Sequence, residues 1–69
     1  MTEVCAVVNG TPVTLVAGTT VDELLTSTSR PRSGVAVAIN REVVPRSQWG
    51  RVCIEDDDRV EIVMAVPGG

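Results

Sequence analysis

The dipeptide Asn9-Gly10 sits between two runs rich in β-branched residues, Val4 to Val8 and Thr11 to Val16. A two-residue connection of this kind needs positive φ at both positions, which Asn and Gly tolerate, so the segment predicts a tight antiparallel hairpin. Pro12 has no N–H to give to a ladder, which predicts that the return strand lies at a sheet edge. Ala17-Gly18 breaks the pattern. Thr20-Val21-Asp22-Glu23 then has the form of a capping box, with Asp22 and Glu23 adding negative charge to a first helical turn. Val21, Leu24, Leu25 and Thr28 follow at i, i+3, i+4 and i+7, one narrow stripe that predicts a short helix over Val21 to Thr28 facing a core.

The segment Ser29 to Gly34, with Pro31 inside it, reads as a loop. Val35 to Ile39 alternates large with small residues, a strand with its bulky face inward. Asn40-Arg41 turns the chain into a short strand, Glu42 to Val44. Pro45 suits the first position of a helical turn holding Ser47, Gln48 and Trp49. Val52 to Ile54 adds a brief extended piece, Glu55 to Arg59 a polar turn, and Val60 to Val66 the last strand. Hairpins supply antiparallel pairs, and one helix covers only one face of the sheet they build. The expected architecture is an α+β roll, a mixed sheet of about five strands on one short helix. Residues 1–66 are expected to form the domain and 67–69 a flexible tail.

At 69 residues and 7.3 kDa the chain is one small domain, too small to enclose a deep pocket of its own. It contains no histidine, lysine, tyrosine or phenylalanine, and Trp49 is the only aromatic residue. The usual general base, Schiff-base amine and neutral metal ligand are therefore missing. Six arginines face nine carboxylates, a net charge of −3, which argues against nucleic acid as a partner. Cys5 and Cys53 are far apart in the chain and lack the spacing of a zinc site; each reads as a small buried hydrophobe rather than half of a disulfide. Nothing at the N-terminus has the pattern of a signal peptide, and no run approaches a membrane span. The expected location is cytoplasmic, with no membrane partner.

Most charged or aromatic features read as structural. Glu55 to Asp58 lacks the spacing and turn glycine of a calcium loop and reads as a solvated turn, so no metal site is expected. Arg30 and Arg32 read as solvated loop residues, and Trp49 as a core or rim side chain. The Gly68-Gly69 ending differs. At an average glycine usage of about 7%, a chance Gly-Gly ending is roughly a one-in-200 event. It follows a buried-type strand with only Pro67 between. Two residues without Cβ adopt almost any φ/ψ and pass through a channel too narrow for side chains. Fully extended, Pro67 to Gly69 reaches roughly 10 Å, enough to carry a terminal carboxylate into another protein's active site. Such a carboxylate is anionic at neutral pH and can attack the α-phosphorus of ATP if a partner supplies Mg and a phosphate clamp.

These features resemble ubiquitin and the prokaryotic sulfur carriers, which share the β-grasp fold. Val8-Asn9-Gly10, Ala17-Gly18-Thr19-Thr20-Val21 with Glu23-Leu24-Leu25, Val37-Ala38-Ile39-Asn40, and Val43-Val44-Pro45-Arg46 with Gln48-Trp49 resemble the thiamine-biosynthesis sulfur carrier family, ThiS, over essentially the whole chain. The chain departs from the family at Asp56-Asp57-Asp58, where Asp-Gly-Asp is usual; Asp tolerates left-handed φ less well than Gly. The resemblance implies a non-enzymatic carrier with no bound cofactor. An E1-like adenylating enzyme, using ATP and Mg, would convert the Gly69 carboxylate to an acyl-adenylate. Sulfur from a donor such as a cysteine desulfurase would give a thiocarboxylate, and thiazole synthase would consume it. Alternatives are a sulfur carrier for molybdopterin or cysteine synthesis, or a ubiquitin-like modifier. Strand alternation adds a docking surface: Val63 and Ala65 beside Glu61 on the face the helix leaves bare, with Ala36, Ala38, Cys5 and Val7 joining them.

Overall fold

The computed structural model describes residues 2–28 and 34–64. Strands β1 (Glu3–Val8) and β2 (Thr11–Val16) are followed by helix α1 (Val21–Ser27). Then come β3 (Val35–Ile39), β4 (Glu42–Val44), a 3-10 turn (Arg46–Gln48) and β5 (Arg59–Met64). The five strands form one mixed sheet in the order β2-β1-β5-β3-β4. β1 and β5 run parallel, with Val7 opposite Arg59, and the other pairs are antiparallel. The predicted elements are present over the described residues, with boundaries shifted by a residue or so, and Pro12 lies on edge strand β2; the expected end of the last strand at Val66 and the tail 67–69 lie outside the described residues. The loop around Arg30 and Arg32 lies outside the described residues.

The Asn9-Gly10 turn adopts the positive φ its sequence predicts, and the Asn40-Arg41 turn takes the same conformation with an arginine at its second position. Asn9 and Gly10 have φ of 49° and 82°, and Asn40 and Arg41 have φ of 51° and 70°. Positive φ at both central residues matches the right-handed twist of the strands they join. The capping box forms in full. The Glu23 N–H donates to Thr20 Oγ1 at 3.1 Å, and the Thr20 N–H donates to Glu23 Oε1 at 3.0 Å. The next two helical N–H groups, of Val21 and Asp22, donate to the carbonyls of Val52 and Trp49 at 3.0 Å each. The helix start is thereby tied to the segment after the 3-10 turn, and its otherwise orphaned donors are satisfied.

The core lies between the helix and the inner face of the sheet. Val21, Leu24 and Leu25 meet Ala6, Val8, Val37, Val60 and Ile62, closed off by Trp49 and Ile54. Trp49 is a core residue whose indole Nε1 donates to the Val44 carbonyl at 3.0 Å. The Arg46 guanidinium lies over its ring, 5.8 Å from the centroid, a distance at which the ring's quadrupole attracts a cation.

Several expectations need correction. Thr28 does not extend the buried stripe: it is the exposed C-cap, and its hydroxyl donates to the Leu25 carbonyl at 3.1 Å. Pro45 precedes the 3-10 turn as its N-cap. Cys5 and Cys53 are exposed free thiols and not buried hydrophobes. Cys5 occupies an outward position of β1, where alternation turns every second side chain from the core. Cys53 sits in an isolated bridge to Thr20 outside the sheet.

The acidic turn does more than meet solvent. Asp56 Oδ1 accepts the Cys5 N–H at 2.8 Å, and Asp58 Oδ2 accepts the Glu55 N–H at 2.8 Å. Asp57 takes φ 68°, the left-handed conformation for which glycine is best suited.

Replacing Leu25, which is fully buried, by alanine is expected to cost roughly 2–5 kcal/mol. In a domain of this size that lowers the thermal midpoint by about 10 °C or more; an unchanged midpoint contradicts the assigned core. Asp57→Gly is expected to act in the opposite direction, raising stability by about 0.5–1 kcal/mol in denaturant titrations by relieving the left-handed strain.

Candidate functional site

On the outer face, which α1 does not cover, registers decide which side chains meet. Val63 lies opposite Ala36 and Glu61 opposite Ala38, while Ala38 also faces Val43 of β4. These five residues line a shallow depression of about 130 Å³. Val63 is 57% exposed and Val43 71% exposed, so the patch is apolar, open and carries one carboxylate, that of Glu61. The alanines keep its floor low. Bulky Val35, Val37 and Ile39 point the other way, toward the core.

The structure brings Val63, Ala36 and Ala38 together. Val7 shares their face but stands level with Arg59, about 13 Å down the strand direction from Val63 at about 3.3 Å per residue. Cys5 is two residues further away, about 20 Å from Val63 by the same spacing. It neighbours the acidic turn, its carbonyl accepting the Asp57 N–H at 2.7 Å. Cys5 and Val7 are thus remote from the Val63 depression. Ala65, Pro67, Gly68 and Gly69 lie outside the described residues. Val43 was missed by sequence reasoning, because a three-residue strand is too short for alternation to assign its faces. The Asn40-Arg41 turn was the available signal, since a two-residue loop sets the register that places Val43 beside Ala38.

The patch sits toward the C-terminal end of β5, with Val63 six positions before Gly69. Elsewhere the described surface offers little chemistry. No group of three or more His, Cys, Asp or Glu side chains among the described residues is placed to hold a metal ion. No helix among them is long and apolar enough to cross a membrane.

Comparison with known proteins gives a consistent result. The family model described as the ThiS family matches residues 6–69. A curated sulfur carrier protein ThiS from Escherichia coli K12 is 40% identical over 53 residues, covering 77% of this chain and 80% of that protein. A thiazole synthase from Magnetococcus marinus is 39% identical over 61 residues, covering 88% of this chain and 19% of the enzyme. A second, from Paramagnetospirillum magneticum, is 38% identical over 63 residues, again 19% of its length. Each enzyme thus carries a stretch similar to this chain within a much longer polypeptide. Among solved structures, the crystal structure of the thiamine biosynthesis protein ThiS from Geobacter metallireducens superposes with a TM-score of 0.78 at 31% identity. That alignment covers 94% of this chain and 99% of the other, so the five-stranded sheet and single helix are the β-grasp fold.

Proposed function

Because this chain belongs to the ThiS family, a family of sulfur carriers serving thiamine thiazole biosynthesis, we propose that it holds its sulfur on the carboxyl group of Gly69. The observation that carries this reading is the family match, which continues through Gly68 to Gly69; β5, which carries part of the apolar depression, is the last described strand before them in the chain. In the proposed sequence the Gly69 carboxylate oxygen attacks the α-phosphorus of ATP on an E1-like adenylating enzyme. Pyrophosphate leaves and an acyl-adenylate forms. The persulfide of a donor such as a cysteine desulfurase attacks the carbonyl carbon and displaces AMP, giving an acyl disulfide, and a thiol reductant then cleaves its S–S bond to leave the thiocarboxylate. ATP and Mg belong to the partner's site. This chain contributes no side chain to the chemistry; it presents a carboxylate flanked by Gly68, so that a narrow channel can admit it.

The similarity to thiazole synthases supports thiazole synthase as the acceptor of that sulfur and favours the thiazole pathway over molybdopterin or cysteine synthesis. Both partners would read the face formed by Val63, Ala36, Ala38 and Val43, where small residues keep the surface flat enough for close approach. Interfaces concentrate their energy in such water-excluding centres. All of these steps are proposed for the cytoplasm.

Incubation with the adenylating enzyme and ATP-Mg should release pyrophosphate. Addition of the sulfur donor and a thiol reductant should then raise the intact mass by the difference between one sulfur and one oxygen atom. Removing Gly69 should abolish both signals; persistence of either refutes Gly69 as the reactive residue. Ala36→Arg, at an exposed position, should leave the thermal midpoint nearly unchanged. It should weaken binding to thiazole synthase by about 10-fold or more, equivalent to ~1.4 kcal/mol; undiminished binding would move the docking surface elsewhere.

A further inference from the structure

The two hairpins grip the central strand by the same device at opposite ends. Asn9 and Asn40 each occupy the first position of a two-residue turn with positive φ, and each turns its side-chain amide onto β5. Asn9 Nδ2 donates to the Ile62 carbonyl at 3.1 Å, and the Ile62 N–H donates to Asn9 Oδ1 at 2.8 Å. These are the two bonds a residue of a neighbouring strand would make. The β1 backbone has already turned away, and its last bond to β5 runs from the Asn9 N–H to the Val60 carbonyl at 2.9 Å. The Asn9 amide therefore extends the β1 side of the ladder by one further residue. Asn40 acts at the other end, its Oδ1 accepting the Arg59 N–H and its Nδ2 donating to Asp58 Oδ1, both at 3.0 Å. Asn40 holds the entry of β5 at Arg59, and Asn9 holds it at Ile62, two residues before its end at Met64.

We propose that Asn9 is a positioning residue for the sulfur-carrying end, its amide aiming the strand that leads to Gly69 relative to the docking face of Val63 and Ala36. At the exit, β3 holds one side of β5 through the pairs Val63–Ala36 and Met64–Val35. On the other side, among the described residues, the Asn9 amide provides the hydrogen bonds at Ile62. A strand paired along one edge alone opens and twists more readily than one paired along both. Loss of the clamp would thus spread the directions in which the strand delivers the carboxylate. Small errors of placement at a reacting atom are expensive in rate. Docking itself, which uses the outer-face side chains, would persist.

This inference rests on the proposed activation of Gly69, and Asn40 supplies an internal control. Asn9→Gly and Asn40→Gly both retain a residue suited to positive φ and each deletes one amide clamp. In the adenylation assay, at a temperature where both variants are folded, Asn9→Gly should lower kcat by about 10-fold with KM little changed. Asn40→Gly should stay within about 2-fold of the parent. Amide exchange at Met64 should accelerate in Asn9→Gly more than in Asn40→Gly. Equal losses in the two variants, a loss confined to KM, or equal exchange at Met64 would overturn the proposal. Should Asn9→Gly fail to fold, Asn9→Asp is read the same way; it keeps an acceptor for the Ile62 N–H and sets an anion against the Ile62 carbonyl. If the parent protein releases no pyrophosphate, the Gly69 reading fails, and the Met64 exchange comparison alone decides whether Asn9 holds the exit.

Discussion

The last strand has no hairpin partner of its own, yet it occupies the centre of the sheet. β5 enters between β1 and β3, which are separated in sequence by β2 and the helix, and its pairing converts two independent hairpins into one sheet. Its inward residues, Val60 and Ile62, complete the floor on which Leu24 and Leu25 pack. The strand is short, and its parallel contact with β1 covers only Val7–Arg59 and Val8–Val60. Asn9 at Ile62 and Asp56 at the Cys5 N–H reinforce that contact, and Asn40 at Arg59 ties β5 to the β3–β4 turn on its other side. Each accepts a backbone N–H of β1 or β5, so polar groups along these strands are not left unpaired.

This arrangement separates two tasks on one strand. Alternate residues of β5 face opposite sides, so Val60 and Ile62 stabilise the body while Glu61 and Val63 form part of the outer surface. On β3 the same alternation puts Val37 in the core and Ala36 outside. The protein thus holds its fold with one face of the sheet and leaves an apolar patch open on the other. Composition agrees with that division. A chain without histidine or lysine is poorly equipped for proton transfer at neutral pH, which is consistent with a sulfur carrier.

Local signals are legible in the sequence because their physics is local. The Asn9-Gly10 and Asn40-Arg41 turns, the Thr20–Glu23 capping box and the Val21-Leu24-Leu25 stripe depend on residues within about one helical turn of each other. Misreadings came where a distant element decides. Thr28 continues the stripe on paper, but the helix ends there and its side chain caps the Leu25 carbonyl. Cys5 lies in an apolar run, but the register of β1 turns it outward. The carboxylates of Asp56 and Asp58 read as solvated because their partners, the N–H of Cys5 and the amide of Asn40, lie 51 and 18 residues away.

Taken alone, the sequence determined the kinds of element, their order, the edge position of the proline-bearing strand and the family to which the chain is similar. Turn geometry, capping and side-chain period are settled by neighbours in the chain. Tertiary structure alone decided that β5 runs parallel to β1, that Val43 joins Val63 and the two alanines while Cys5 and Val7 stand apart, and that two turn asparagines clasp opposite ends of one strand. Those outcomes depend on register between segments dozens of residues apart, where a shift of one residue would exchange the inward and outward faces.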